Sequence, residues 1–176
     1  MPQVERVLVV DDEVNMLNSI RRQLKGKYEL VTALSGAEGM DLVQKGPEFA
    51  LVLSDYKMPG MNGAEFLSAV KEASPDTVRI MLTGQADMEA VIDIINEGNI
   101  FRFLTKPCPP DLLRKNIDDG IEQYRLVRTE KELLSRTLGG SLKVMADILA
   151  LARPLAFNRG IRVRRFVKDM LEHLQL

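Results

Sequence analysis

The chain has very few of the residues on which several classes of protein depend. Of its 176 residues one is cysteine (Cys108), one is histidine (His173) and none is tryptophan. A single cysteine excludes an internal disulfide and a cysteine-rich metal site, and a single histidine excludes a multi-histidine catalytic metal site within this chain. No apolar run approaches the roughly 20 residues that span a bilayer, and the first residues do not form a signal peptide. We therefore expect a cytoplasmic protein that does not enter the membrane.

Charge and composition are those of an ordinary globular domain with an extension. The formal net charge is -1 and 45% of the residues are hydrophobic, which is typical of one domain and some additional chain. This balance argues against a general affinity for nucleic acid or membrane surfaces. A basic cluster at residues 159–168 has no helix-turn-helix signature and no interleaved aromatic residues, so a solvated helix face is the favoured interpretation and no direct nucleic-acid binding is expected.

Short apolar runs alternate with amphipathic segments five times in about 120 residues. The segments have apolar residues at spacings of three and four, which predicts helices, whereas the short runs are bounded by turn signals and predict strands. Strict alternation of this kind predicts an α/β fold with a five-stranded parallel sheet and helices on both faces. The second strand has an alternating character that suggests a sheet edge. The predicted strands are 6–10, 28–34, 50–53, 78–82 and 100–104, and the predicted helices are 13–25, 35–46, 63–73, 87–97 and a long one from 111.

Polar side chains follow four of the predicted strands within two residues. Asp11 and Asp12 follow the first strand, Asp55 the third, Thr83 the fourth and Lys106 the fifth. Taken alone, Asp55 is equally well explained as a cap of the turn that follows it. Because the carboxyl ends of parallel strands meet at one edge of a sheet, however, all five groups are expected to lie together. This clustering favours a functional site over independent caps.

The residue types at this edge suit phosphoryl transfer to an aspartate. Clustered carboxylates repel one another, and a hard divalent cation such as Mg²⁺ offsets that repulsion while accepting oxygen ligands. Lys106 and Thr83 can bind phosphoryl oxygens, and one carboxylate remains to act as a nucleophile. Such a reaction needs positioning and charge neutralisation more than acid–base catalysis. The sequence therefore predicts an aspartyl-phosphate site that uses magnesium.

Four motifs match, in order, spacing and strand context, those of a known family. They are VLVVDDE at 7–13, LVLSDYKMPGMNG at 51–63, MLTG at 81–84 and FRFLTKP at 101–107. With them, residues 4–124 resemble the receiver domain of two-component response regulators. The resemblance implies a flavodoxin-like fold with five parallel strands and five helices. It also implies a phosphoryl group that comes from a sensor histidine kinase or a phosphotransfer protein.

The resemblance assigns roles to the acidic residues. Asp55 would be the phosphoacceptor. Asp12, Asp55 and the backbone carbonyl of Lys57 would ligate Mg²⁺, and Asp11 would act partly through water. A haloacid-dehalogenase-type phosphatase also uses an aspartate nucleophile, but it requires a second aspartate two residues later, where this chain has Lys57. The Lys106-Pro107 peptide bond is expected to be cis.

The resemblance also implies a switch. Thr83 and Lys106 would bind the phosphoryl oxygens, and Phe103 would turn inward when Thr83 moves towards the phosphate. Lys57 and Gln85 would tune hydrolysis of the acyl phosphate. The output surface would lie at 87–124, where Ile95 and Ile100 are candidates either for a dimer contact or for the core.

Beyond the receiver the sequence predicts a linker helix. Residues from Ile117 to Leu138 recur at spacings of three and four, which fits a short parallel coiled coil in a homodimer. A single helix packed on its own second domain is the alternative. Gly139-Gly140 is expected to end this helix and Ser141 to cap the next. The predicted divisions are a receiver at 1–124, a linker helix at 125–140 and the start of an all-helical output domain at 141–176.

The segment 135–167 resembles the opening helices of HD-type metal-dependent phosphohydrolases, which include cyclic-di-nucleotide phosphodiesterases. The first histidine of that family would fall near Phe157-Asn158 and is missing. Three functions therefore remain open. They are a phosphorylation switch that drives a C-terminal output, a receiver-controlled phosphohydrolase of which only the first part is present, and a stand-alone receiver that dimerises.

Overall fold

The structure, a computed structural model, describes residues 4–24, 26–84 and 100–152. It divides into two compact units, Met1–Arg128 and Thr129–Leu176. The first unit contains the whole sheet and all of the predicted site residues that the structure describes. The second is described through residues 129–152, and the predictions made for residues 153–176 lie outside the described ranges.

Five parallel strands form a single sheet. Their order is β2-β1-β3-β4-β5, and every neighbouring pair is parallel. The sheet centre β3 is buried along its whole length, whereas β2 lies at an edge and is partly exposed. These findings confirm the predicted fold class and the edge position of the second strand. The strands are β1 (Arg6–Val10), β2 (Glu29–Ala33), β3 (Leu51–Asp55), β4 (Val78–Gly84) and β5 (Arg102–Lys106).

Four helices accompany the sheet in the described residues: α1 (Val14–Gln23), α2 (Gly36–Lys45), α3 (Gly63–Ala73) and α4 (Pro110–Ala152). Side chains directly before α2 and α3 cap the amino ends of these helices. The Ser35 hydroxyl accepts a hydrogen bond from the Glu38 backbone N–H, and Asn62 forms a reciprocal capping box with Glu65. The helix predicted at 87–97 lies outside the described residues.

Side chains that alternate along the strands build one apolar layer on each face of the sheet. Val7 and Val9 belong to the layer that contains residues of α1 and α4, whereas Leu8 and Val10 belong to the layer beside α2 and α3. All four are fully buried. This is the period of two that a strand covered on both faces requires. The two layers hold the carboxyl edge of the sheet in place.

The last strand differs in position from its prediction. It runs over 102–106 instead of 100–104, so Lys106 is its final residue. Ile100 precedes the strand and is buried in the layer beside α2 and α3. Its burial supports the interpretation as a core residue over that as a dimer contact. Ile95, the other candidate, lies outside the described residues.

The helix α4 continues from Pro110 to Ala152 without a break. The predicted end at Gly139-Gly140 is therefore wrong, and Ser141 is an interior residue of the helix instead of a cap. A glycine costs about 1 kcal/mol relative to alanine in a helix interior. That cost is too small to end a helix that neighbouring residues favour on both sides. The predicted divisions at residues 124 and 140 stay predictions.

The first part of α4 packs on the sheet. Ile117, Gly120 and Tyr124 are buried in the first unit. A Cβ atom on Gly120 would lie 2.6 Å from Cδ1 of Leu51, so the absence of a side chain allows this close approach of helix and sheet. These positions of the predicted seam belong to the core. A coiled coil formed by α4 must therefore begin beyond them.

Two ion pairs connect α4 to the amino ends of central strands. Arg125 Nε lies 2.6 Å from Glu5 Oε1, directly before β1. Arg128 Nη1 lies 3.2 Å from Glu48 Oε2, shortly before β3. Hydrogen bonding by Arg125 holds the pKa of the Glu5 carboxyl below its usual value. The helix is thus attached to the edge of the sheet opposite the acidic residues.

None of the helices in the described ranges combines the length and the hydropathy that a membrane crossing requires.

Candidate functional site

The carboxyl edge of the sheet brings the predicted residues together. Asp11 follows β1, Asp55 ends β3, Thr83 lies near the end of β4 and Lys106 ends β5. Strand register places Asp55 beside Leu82 and Lys106 beside Gly84. The expectation that these strand ends meet at one edge is therefore confirmed for all the described strands that carry them.

Three carboxylates form the acidic part of the site. Asp11, Asp12 and Asp55 each offer one oxygen atom, and these oxygens lie within 4.8 Å of one another. Asp11 is fully buried, Asp55 nearly so, and Asp12 is exposed. Three hard oxygen donors at this spacing, one of them facing solvent, fit a small divalent cation that retains several waters. The residues present therefore fit a magnesium ion.

Lys106 bridges two of the three carboxylates. Its Nζ lies 2.8 Å from Oδ1 of Asp55 and 2.9 Å from Oδ2 of Asp11. Burial alone would lower the pKa of Lys106, but its hydrogen bonds to Asp55 and Asp11 and the charges of these carboxylates together raise that pKa above its usual value. The ammonium group is therefore charged at neutral pH and offsets part of the repulsion between the carboxylates.

The pKa of Asp55 is also raised, but here burial is the main cause of the rise instead of opposing it. Burial is the largest influence and raises the pKa of its carboxyl above the usual value, against the hydrogen bond and charge of Lys106, which lower it. The neighbouring charge of Asp11 raises the pKa further. A carboxylate that is partly desolvated is poorly stabilised as a free ion. A second cation, or a bond to an electrophile, would therefore relieve an unfavourable charge at this position.

Backbone contacts hold Asp55 in place. The Ser54 hydroxyl donates to the Asp55 carbonyl oxygen at 2.9 Å, and the Tyr56 N–H donates to the Leu82 carbonyl at 2.8 Å. The Gly63 N–H donates to the Tyr56 carbonyl at 2.9 Å, and a Cβ atom on Gly63 would overlap the Asp55 carbonyl oxygen. The sequence motif at 51–63 therefore places a residue without a side chain beneath the aspartate.

Asp11 is fixed in a similar way. Its Oδ1 accepts a hydrogen bond from the Glu13 backbone N–H at 2.8 Å, and its own N–H donates to the Ala33 carbonyl at 3.2 Å. The supporting roles of Ser54, Gly63 and the Glu13 N–H were not among the sequence predictions. Gly63 was predicted only as the first residue of the helix 63–73, although a glycine also permits a close approach of the backbone.

The remaining predicted residues surround this centre. Thr83 is fully buried, and its hydroxyl donates to the Gly84 carbonyl at 3.3 Å. Phe103 is 38% exposed, which corresponds to an outward orientation. Gln85 lies outside the described residues. The Lys106-Pro107 peptide bond is cis, as predicted.

An open pocket of about 370 Å³ adjoins Asp12, the exposed carboxylate of the site. Asp12 forms one side of it, and the turn after β3 forms the rest, including Lys57, Met58 and Asn62. The pocket allows a small molecule or another protein's side chain to approach the acidic residues from solvent.

The fold and the site together define an α/β protein of the flavodoxin-like class with a lysine-bridged acidic site at the carboxyl edge of its sheet. The family model described as the response regulator receiver domain matches residues 7–118, and the chain belongs to this family. Members of the family act in two-component signal transduction with histidine kinases or phosphotransfer proteins, and they generally bind Mg²⁺ in their acidic pocket.

Individual relatives extend this result. The hydrogenase transcriptional regulatory protein HoxA of Bradyrhizobium diazoefficiens is 30% identical over 167 residues, which cover 95% of this chain and 33% of HoxA. A structure titled as adenylate cyclase from Rhodopirellula baltica is 39% identical with a TM-score of 0.73, and the match covers 76% of this chain and 98% of that one. The receiver domain of an HD domain-containing protein from Pseudomonas fluorescens is 29% identical with a TM-score of 0.66, over 70% of this chain and 98% of that one. This chain thus spans about a third of the length of HoxA.

Proposed function

We propose that Asp55 accepts a phosphoryl group from a sensor histidine kinase or a phosphotransfer protein, and that the modified receiver controls an output through α4. The observation that carries this proposal is the bridge from Lys106 to Asp55 and Asp11, with Asp12 alongside. This arrangement supplies one desolvated nucleophile, one cation for the phosphoryl oxygens and two further carboxylates for a metal ion.

The transfer forms an acyl phosphate. An Asp55 carboxylate oxygen attacks the phosphorus of a phosphohistidine, the P–N bond breaks, and the imidazole leaves with the bonding electrons and takes up a proton. Lys106 lies within contact of Asp55 and is placed to bind a phosphoryl oxygen. Thr83 would bind a second oxygen after its hydroxyl turns from the Gly84 carbonyl.

Magnesium belongs to this proposal. Asp11, Asp12, Asp55 and the backbone carbonyl of Lys57 would hold the ion, with Asp11 acting partly through water. When bound, it neutralises the charge that develops on the phosphoryl oxygens. The carboxylates position the ion, and the buried side of the site limits the access of water.

The switch follows from the added charge. A phosphoryl group adds roughly -1.5 to -2 units of charge, and it shifts a conformational equilibrium only through contacts that differ between the two states. Thr83 and Lys106 would make those contacts, and Phe103 would turn inward from its exposed position. Lys57 and Gln85 would set the lifetime of the acyl phosphate. The 87–124 surface, α4 and homodimerisation would carry the signal.

The output that this receiver controls has three candidates. The similarity to HoxA covers nearly the whole chain, and HoxA is named as a transcriptional regulatory protein, which favours a gene-regulatory output. The phosphohydrolase predicted from residues 135–167 is a second candidate, and the relative with an HD domain matches this chain in a receiver domain. In neither case do we expect this chain itself to bind nucleic acid or to catalyse hydrolysis of a second messenger. A stand-alone dimerising receiver is the third candidate.

Intact-protein mass spectrometry after incubation with acetyl phosphate and Mg²⁺ tests the acceptor site. We expect one phosphoryl group per chain, released by hydroxylamine and not formed in EDTA. Asp55→Ala should abolish it, whereas the exposed Asp41→Ala, whose carboxylate pairs with Lys45, should retain it. Phosphorylation of a folded Asp55→Ala variant at the wild-type level would contradict the assignment.

A further inference from the structure

The part of α4 that belongs to the second unit has an exposed apolar stripe. Leu134 is 55% exposed, Met145 is 61% exposed and Ile148 is 57% exposed. Leu133 and Val144 are also exposed beside them. Large exposed apolar side chains on one side of a helix favour an interaction site there. In the described residues, this face of α4 is therefore a candidate surface for contact with another helix.

The spacing of this stripe is that of a coiled coil. Positions 131, 134, 138, 141, 145, 148 and 152 alternate between intervals of three and four in the sequence. Because α4 is continuous through Gly139-Gly140, this repeat is not interrupted by a turn. It gives about three heptads, with 131 and 145 at a positions and 134 and 148 at d positions. A heptad repeat packs best against a second helix with the same repeat.

The charged side chains on this part of α4 do not select a partner of opposite charge. Between residues 129 and 148 there are three acidic and three basic side chains. Arg136 and Glu132 pair within the helix at 3.9 Å, on the side away from the stripe. A surface with no net charge gives no attraction to a polyanion and no overall repulsion between two identical copies. These features fit a second copy of the chain as the partner.

We propose that two copies pair through residues 131–152 of α4 as a parallel, in-register, two-stranded coiled coil. This inference rests on the homodimerisation proposed above, and it is independent of the chemistry of Asp55. It assigns the interface to the helix beyond the first unit. With about three heptads the seam is near the lower limit for a coiled coil, so we expect the dimer to dissociate on dilution.

Lys131 determines the orientation of the pair. In a parallel pair its side chain, at an a position, packs next to the g position of the other helix, which is Glu130 of the second copy. In an antiparallel pair centred on residues 139–140, which would place Leu134 opposite Met145, Lys131 would instead face Ile148 at the apolar end of the seam. A charge buried without a partner is costly. A single lysine at an a position is also a known determinant of register and oligomeric state.

Disulfide cross-linking of the full chain distinguishes these arrangements. In a Cys108→Ser background, Leu134→Cys and Met145→Cys are oxidised separately and analysed on non-reducing gels. We expect each to form a covalent dimer, because a parallel in-register pair places identical positions opposite one another. Glu132→Cys, on the opposite side of the helix, is the control and should remain largely monomeric.

Other outcomes overturn the proposal. If only a mixture of Leu134→Cys and Met145→Cys cross-links, the helices are antiparallel. If neither variant cross-links and light scattering gives a monomer mass at high concentration, the stripe has no second copy as its partner. Slow reaction of the Leu134→Cys variant with a thiol reagent in that monomer would show that the same chain covers the stripe.

The same variants separate this inference from the proposed function. Cross-linking should persist when Asp55→Ala is added, although phosphorylation is lost. Leu134→Lys should convert the dimer to a monomer and leave phosphorylation by acetyl phosphate unchanged. A wild-type dimer mass for a folded Leu134→Lys variant would show that the interface lies elsewhere.

Discussion

Lys106 provides the sharpest test of how the site is held together. Its ammonium group is the cation that the structure places in contact with both Asp11 and Asp55. Lys106→Met keeps the length and most of the apolar volume of the side chain but removes the charge. In the absence of a metal ion, the variant leaves a fully buried carboxylate and a nearly buried one without that partner.

The structure sets the expected magnitude. Removing one member of a buried ion pair costs about 3–5 kcal/mol. The side chain of Lys106 is 21% exposed, so water can hydrate part of the charge that the substitution leaves unpaired. We therefore expect a decrease of about 2–4 kcal/mol in the free energy of unfolding. Lys27→Met is the matched control. It breaks a pair with Asp118 in which the side chains are 53% and 40% exposed, and such surface pairs contribute about 0–1 kcal/mol.

The cost should depend on pH with a definite sign. The pKa of Asp55 is raised in the folded protein, chiefly by burial, so ionisation of Asp55 lowers stability as pH rises from its unfolded pKa of about 4 through the folded value. Removing Lys106 raises the folded pKa further. The penalty of Lys106→Met is therefore largest near pH 8 and shrinks towards pH 4.5, where the Asp55 carboxyl can remain protonated.

Urea denaturation in EDTA at pH 8 and pH 4.5 measures both effects. Wild type and the two methionine variants are compared at each pH, with circular dichroism as the probe. The reasoning fails if Lys106→Met is no more destabilised than Lys27→Met at pH 8. It also fails if the difference between the two variants is the same at both pH values.

Three further predictions concern the surrounding structure. Gly63→Ala should destabilise the first unit by about 1–3 kcal/mol and abolish phosphorylation by acetyl phosphate, because its methyl group overlaps the Asp55 carbonyl oxygen. Gly140→Ala should raise the thermal midpoint and the helical circular dichroism signal by stabilising α4 by about 0.5–1 kcal/mol, since a Cβ there contacts nothing within 4 Å. Arg125→Gln should cost up to about 1 kcal/mol near pH 7. That difference should vanish in denaturation experiments as pH falls and Glu5, whose folded pKa is lowered by Arg125, becomes protonated.

The sheet and the gathering of strand ends were predictable because they depend on local patterns. Short apolar runs bounded by turn residues define the strands, and their parallel arrangement follows from the helices between them. The bridge from Lys106 to Asp11 was not predictable in this way. These residues follow strands that are separated by β3 and β4, and only the three-dimensional arrangement of the sheet shows that one lysine reaches both carboxylates.

The wrong predictions for α4 have a different cause. Gly139-Gly140 is a common helix end, but such local preferences are weak and neighbouring residues can override them. The 3-4 spacing from Ile117 was interpreted as one seam, although Ile117 and Tyr124 pack in the first unit and Leu134 is exposed. A helix that packs on a sheet and a helix that packs on a partner share the same spacing, so the sequence alone cannot mark where one role ends and the other begins.

The two ion pairs of α4 give the central strands a mechanical role. β1 begins directly after Glu5 and is followed by Asp11, whereas β3 begins soon after Glu48 and ends at Asp55. Each strand is five residues long, or about 17 Å, and each is hydrogen-bonded to a neighbour on both sides. Such strands neither stretch nor bend easily, because close-packed interiors are stiff. The acidic site and the two ion pairs of α4 thus lie at opposite ends of the same two rigid strands.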